Sequence, residues 1–281
     1  MFAITLQSII RDTDKPSYPS RAYQSVMSES STNWYTSEIT RHSHYLDYQT
    51  RYSTTIRESD RILIDKVREI RGLADRDLRV LDVGCSTGNL LVHLKRLVPG
   101  LTLFGLDISR SAIDRCRGVP ELTDVPFVVG SGLDLAGLFD DSFDIVIANA
   151  MVHHLNNAEF TQALQAFSDV LTPAGHHLNF DGFHPFEQDV ALVESCPHGT
   201  REGIHIHYRS YTTTSRLLSR AGFASVDYRE FTMPFDLERD PTDFSDLSSY
   251  TIRTAEDRRM CMRGVINQTW CHLHARKMAP A

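Results

Sequence analysis

The 281-residue chain is 41% hydrophobic and 23% charged, a composition that excludes fibrous and intrinsically disordered classes. Its 29 Lys and Arg against 36 Asp and Glu leave a net charge of −7, so no global Coulomb attraction draws it to a phosphate backbone. The cysteines, Cys85, Cys116, Cys196, Cys261 and Cys271, include no C-x-x-C pair, which excludes a four-thiolate zinc site and a readable disulfide framework.

The first apolar stretch, Phe2 to Ile10, is interrupted by Gln7 and Ser8 and has no basic leader. Nowhere do the roughly 18 successive apolar residues of a membrane span occur. These features predict a soluble, cytoplasmic protein with reduced thiols and no membrane partner. Residues 12–60 are polar and rich in Ser, Thr, Tyr and Arg, and read as an arm or helical cap. Within it Trp34, Tyr35, Tyr45, Tyr48 and Tyr52 have two readings, as aromatic anchors of the cap or as rings closing over a ligand. Arg41 and Arg51 are either solvated or set to meet a carboxylate. Leu63, Val67 and Ile70 then repeat at helical spacing, and Gly72 supplies a stop. The predicted division is an arm and cap over 1–72 and a main domain over 73–281, with 183–210 and 232–262 as insertions beside its site.

From residue 79 short apolar runs alternate with amphipathic segments. Strands are predicted at 79–83, 101–107, 126–130, 143–149 and 176–181. Between them lie helices at 89–98, with Leu90, Leu91, Leu94 and Leu97 inward, and at 109–117. Another carries Phe160, Ala163, Leu164, Phe167, Val170 and Leu171 on one face and stops at Pro173-Ala-Gly175. This alternation implies βαβ units and a doubly wound α/β fold with a parallel sheet covered on both faces. The tail reads as a helix over 211–222, a strand over 224–231, a polar surface excursion over 236–260 and a last strand within 265–277.

The most informative segment is Leu81-Asp82-Val83-Gly84-Cys85-Ser86-Thr87-Gly88-Asn89. Glycines between a strand and a helix start allow a tight turn and close approach to a ligand. Asp107 ends the next strand, about 20 residues on, where an acid accepts both hydroxyls of a ribose; its other reading is a helix cap ahead of Ser109. The loop lacks the third glycine of G-x-G-x-x-G, so a nucleoside without a pyrophosphate fits better than a nicotinamide dinucleotide.

Val80 to Gly88 together with Phe104-Gly-Leu-Asp107-Ile-Ser resembles motif I and its successor in the class I S-adenosylmethionine-dependent methyltransferases. Phe143-Asp-Ile-Val-Ile-Ala-Asn-Ala-Met-Val-His-His-Leu155 resembles the family's segment after strand four, and Leu171-Thr-Pro-Ala-Gly-His its turn before strand five. The resemblance covers roughly residues 78–182. It implies a Rossmann-like, seven-stranded sheet with an antiparallel last strand and S-adenosyl-L-methionine as cofactor, with S-adenosyl-L-homocysteine as product. By the same resemblance Gly84, Cys85, Ser86 and Gly88 line the methionine and ribose side, and Asp82 sits beneath the loop near the cofactor's charged end. Asp107 takes the ribose hydroxyls, Ile108 meets the adenine face, Gly132 and Leu133 its edge, and Asn149 the methionine moiety. The Gly-Asp of many relatives after strand three is Gly130-Ser131 here, which leaves Ser131 and Asp134 as alternative acceptors. The loop's central glycine is replaced by Ser86.

For the chemistry, the strand ends offer His153 and His154, then Asp181 and His184. An imidazole near pKa 6.5 suits removal of a proton from a hydroxyl or ammonium, and structural packing is the competing reading for each. His205-x-His207 reads as a metal pair or, more simply, as the lining of a lid, and no metal is assigned. The leading function is methylation of a small-molecule acceptor at oxygen or nitrogen, with no nucleic acid partner. A non-catalytic cofactor-binding module, a tRNA or protein methyltransferase, and a homodimeric assembly stay open.

Overall fold

The computed structural model describes residues 46–140, 142–194, 204–233, 248–253, 259–264 and 269–279. The apolar runs become strands β1 (Leu78–Val83), β2 (Leu101–Asp107), β3 (Phe127–Val129), β4 (Phe143–Asn149) and β5 (Leu171–Asp181). With β9 (Phe223–Glu230) and β12 (Cys271–Lys277) they form one seven-stranded sheet in the order β3-β2-β1-β4-β5-β12-β9. β12 runs antiparallel to both β5 and β9, and the pairs among β1 to β5 are parallel. The order reverses between β1 and β4. A crevice opens there beyond the carboxyl ends of the strands, which is where open α/β sheets take ligands.

Alternation along each strand decides what faces what. Leu81 and Val83 of β1, with Val146 and Ala148 of β4, point to the face covered by α4 (Asn157–Val170) and α5 (Tyr211–Arg220). Val80, Ile145 and Ile147 point to the other face, beneath α1 (Glu58–Gly72), α2 (Asn89–Leu97) and α3 (Arg110–Arg117). Asp82, Asp107 and Asn149 share the parity of that second set, so the same periodicity that builds the core aims three polar side chains to that face. The helix α4 starts with a reciprocal cap: Asn156 Oδ1 accepts from the amides of Ala158 and Glu159, and Glu159 Oε2 accepts from Asn156 N.

Several expectations are corrected. Leu97 is 41% exposed because α2 ends there, in its last turn, and the residue falls off the buried stripe. The helix before β5 stops at Val170, ahead of the proline. Residues 172–175 instead make an irregularity within β5, where pairing with β4 slips and Ala174 takes φ +59°. Part of the excursion at 236–260 is ordered pairing: β10 (Ser248–Arg253) and β11 (Arg259–Gly264) form an antiparallel ribbon. Within 183–210, β6 (Phe183–His184), β8 (Ile204–Ser210) and β7 (Val190–Glu194) form a small separate sheet. Trp34, Tyr35, Arg41 and Tyr45 lie outside the described residues.

Candidate active site

The β1–α2 turn is built from left-handed positions. Gly84 has φ +75° and Gly88 +78°, as their lack of a Cβ permits, and Ser86 adopts φ +49°. A Cβ at Gly84 would lie 2.8 Å from Met151 Cγ, so only glycine allows the turn to pack against the β4–α4 connection. Gly84 N and Cys85 N both donate to Leu106 O, at 2.7 and 3.0 Å, and Ser86 N donates to Asp107 Oδ2 at 2.9 Å. Ser109 N donates to the second oxygen of Asp107 at 2.8 Å. The turn and the carboxylate that closes β2 are therefore one hydrogen-bonded unit. Burial raises the Asp107 carboxyl above its ordinary range, while the two amide donors oppose that rise.

This unit forms one wall of an open cleft of about 1130 Å³, solvent at its mouth included. Of the residues singled out from sequence, Asp82, Gly84, Cys85, Ser86, Asp107, Ile108, Gly132, Leu133, Asn149 and His154 line it. Ser131 lines it too, whereas Asp134 accepts from Gly137 N at 3.3 Å in its own turn. Gly88 does not line the cleft. It turns to the outer side, where an added Cβ would meet Leu122 Cδ1 at 2.8 Å and Cys116 Sγ at 3.2 Å, so its role is helix entry and packing.

His153 is also corrected. Its Nδ1 sits 2.8 Å from Asp181 Oδ1 in the interior, away from the cleft wall. Asp181 accepts in addition from the amides of Val152, His153 and Gly182, so this carboxylate organises the turn after β4 and is no base facing a ligand. His184 is buried on β6 outside the cleft wall. His154 alone of these lines the cleft. Burial first, then the neighbouring His153 and His207, hold its imidazole well below the usual pKa, against a hydrogen bond with the His205 backbone. It stands neutral at pH 7.

Strand β8 backs this turn. His205, His207 and Arg209 alternate along it and all are buried. Arg209 Nη1 donates to Val152 O at 3.1 Å, Nη2 to Leu155 O, and Nε to Asn157 Oδ1 at 2.9 Å, while its guanidinium lies 4.3 Å from the centre of the Phe160 ring. Burial lowers its pKa to about 10, so it remains a cation. His205 and His207 join the wall behind His154. Among the described residues no cluster of three or more His, Cys, Asp and Glu is arranged to hold a metal.

The cap contributes residues that sequence reasoning missed: Leu46, Gln49 and Arg57 line the cleft. Asp60, fully buried on α1, receives Arg57 Nε at 2.7 Å and Asn149 Nδ2 at 2.8 Å. A signal for it exists, because residue 60 lies three, four and seven positions before Leu63, Ile64 and Val67, so a carboxylate interrupts the inward stripe. Tyr48 and Tyr52 bond to each other through their hydroxyls at 2.6 Å within the cap, whereas Trp270 stacks on Phe180 of β5. Asp82 is buried at the cleft floor, and Oδ1 has no protein partner. Burial first, then the charges of Asp60 and Asp107, push its carboxyl to about 8.

Residues 80–175 match the model of a methyltransferase domain family. Over that stretch the chain resembles a class I, Rossmann-like methyltransferase domain. Over 160 residues it is 24% identical to a malonyl-[acyl-carrier protein] O-methyltransferase of Bacillus cereus, a match covering 57% of this chain and 52% of that protein. Over 103 residues it is 35% identical to a fatty-acid O-methyltransferase of Mycolicibacterium smegmatis, covering 37% and 36%. The chain thus spans about half the length, or less, of these curated relatives. A solved 1,6-didemethyltoxoflavin-N1-methyltransferase of Burkholderia thailandensis superposes with a TM-score of 0.51 at 15% identity, covering 95% of this chain and 93% of that one. The match to the family model ends at residue 175, so β8 and its histidines lie beyond the matched part of the methyltransferase domain. No helix among the described residues is long and apolar enough to cross a membrane.

Proposed function

We propose that the protein is an S-adenosylmethionine-dependent methyltransferase acting on a small molecule at oxygen or nitrogen. The observation that carries this reading is the bonded unit of the β1–α2 turn and Asp107 on the wall of the cleft. The residues present fit the cofactor. Asp82 Oδ1 and Ser86 Oγ are buried in the cleft wall without protein partners, an acceptor and a hydroxyl awaiting a ligand that is both amino acid and nucleoside. Asp107 would hold the ribose hydroxyls, Ile108, Gly132 and Leu133 the adenine, and Gly84, Cys85, Ser86, Asp82 and Asn149 the methionine end.

The cofactor, when bound, supplies a methyl group already activated on a sulfonium. What the protein must add is alignment and, for a protonated acceptor, a place for the proton. His154 is unprotonated at neutral pH and so able to accept a proton. Its depressed basicity suits an oxygen acid or an acceptor that arrives ionised better than an alkylammonium. Relatives named as O-methyltransferases, and a structural neighbour named as an N1-methyltransferase, support oxygen or nitrogen as the acceptor atom. The test is titration of the protein with S-adenosylhomocysteine and with NAD, followed by transfer of labelled methyl to panels of carboxylic acids, phenols and amines. Binding of NAD without S-adenosylhomocysteine overturns the reading.

A further inference from the structure

We propose that Arg209 is a positioning residue for the acceptor side of the cleft, holding the turn that presents His154; this rests on reading His154 as the group that takes the acceptor's proton. The short helical turn Val152–His154, closed by Leu155, has its polar groups divided by sign between two buried charges. The amides of Val152 and His153 donate to Asp181 Oδ2 at 2.8 and 3.2 Å. The carbonyl oxygens of Val152 and Leu155 accept from Nη1 and Nη2 of Arg209, the former at 3.1 Å. Arg209 and Asp181 are each 1% exposed. Gly182 joins them: its amide donates to Asp181 Oδ1 at 2.7 Å, and its carbonyl accepts from Arg209 N at 3.0 Å. A Cβ at Gly182 would stand 2.3 Å from Tyr208 Cδ1, so only glycine lets β8 come this close.

The clamp bears on His154 from both sides. Asp181 holds the His153 ring, whose centre lies 3.9 Å from that of His154. From β8, the His205 backbone hydrogen-bonds the His154 imidazole, and His207 is near enough to act on it electrostatically. The titratable groups around this imidazole are thus His153 and His207, with Asp181 and Arg209 bonded to its turn. A single turn has no helical cooperativity to keep its shape, so its geometry must be imposed by what it touches. A buried ion pair adds little stability over apolar side chains of equal volume, and its best-attested use is to specify one arrangement.

The competing role is that Arg209 only satisfies carbonyl oxygens in the interior. The two roles part when the full-length protein, labelled with 13C at histidine Cε1, is titrated by NMR without ligand. The His154 signal is the one missing from His154→Gln. In the wild type it is expected to titrate below the ordinary 6.5. Arg209→Lys keeps the cation but cannot bridge two carbonyls, so it is expected to admit water to the ring and raise the His154 pKa by about one unit. Arg209→Met is expected to raise it further, the positive charge being gone. Leu94→Ala, in the core on the far face of the sheet, is expected to lower the unfolding midpoint and leave His154 unmoved. Because Arg209 does not line the cleft, calorimetric affinity for S-adenosylhomocysteine is expected to stay within about twofold in Arg209→Lys. An unchanged His154 titration in Arg209→Lys overturns the proposal, as does an equal shift in Leu94→Ala or a parallel loss of S-adenosylhomocysteine affinity. Should Arg209→Met fail to fold, the lysine variant decides. A wild type that binds no S-adenosylhomocysteine overturns the cofactor reading, while the ligand-free titration still decides whether Arg209 positions His154.

Discussion

Replacing Asp82 by Asn should make the ligand-free protein more stable, and increasingly so as the pH rises. In the folded chain the carboxyl titrates at about 8, against an ordinary 3.8, because it is buried and faces Asp60 and Asp107. The folded state therefore keeps a proton that the unfolded state gives up. Stability is full below pH 3.8 and is lost as pH climbs toward 8. Each unit of pH in that window costs about 1.4 kcal/mol, so between pH 6 and 8 the wild type loses about 2 kcal/mol from this group alone. Asn carries no such titration. Urea unfolding of both proteins at pH 6, 7 and 8 should give curves that diverge by that amount, the variant being favoured at pH 8. Histidine titrations are common to both chains and cancel. Parallel pH dependences would mean that Asp82 is ionised in the fold, and the electrostatic account of the cleft floor would fail. The same variant should bind S-adenosylhomocysteine more weakly, a stability gained at the expense of the site.

Asp107→Ala should weaken S-adenosylhomocysteine by about 1.5–3 kcal/mol, the scale for hydrogen bonds to a charged group, and an unchanged dissociation constant in calorimetry would remove Asp107 from the site. Arg209→Met should cost about 3 kcal/mol or more in denaturant titration, since it strips donors from Val152 O, Leu155 O and Asn157 Oδ1 in the interior. A loss below about 1 kcal/mol would show that water replaces the guanidinium. Asn179 is fully buried on β5 with neither amide atom bonded, so Asn179→Val should raise the unfolding midpoint by about 1–3 kcal/mol in stability. A drop would reveal a hidden partner. His177 titrates at about 4 rather than 6.5 because it is buried, so stability should fall as pH drops from 6.5 toward 4, by about 3 kcal/mol from this group. His177→Phe should flatten that acid limb in the same titration, and an unaltered limb would count against it.

The parallel core was legible because strands buried on both faces leave unbroken apolar runs: 143–149 is read to the residue, and 101–107 likewise. The turn and Asp107 were legible because backbone geometry demands particular residues at particular offsets. What sequence left undecided depended on distance in space. Nothing in the pair His153-His154 says which ring turns inward. The answer comes from Asp181, 28 residues later on β5, which captures His153 and leaves its neighbour for the cleft. Arg57 and Asp60 were overlooked because their surroundings are polar and Asn149, which donates to Asp60, lies 89 positions further on, while Leu97 was misjudged because the helix stripe was extended into the last turn, where it no longer faces the core. Gly88 followed from a motif that joins two duties, ligand approach and helix entry, and in this chain only the second applies to it.

β12 is the last strand of the sheet in chain order, yet it lies between β5 and β9 rather than at a rim. A nascent chain that has emerged from the ribosome through residue 230 consequently holds two strands, each with a bare row of amides and carbonyls along the side that awaits its neighbour. Until residues 271–277 arrive, that gap invites any other extended peptide. Chaperone demand during synthesis should concentrate on that interval, and truncation ahead of residue 271 should yield aggregates rather than a smaller folded protein.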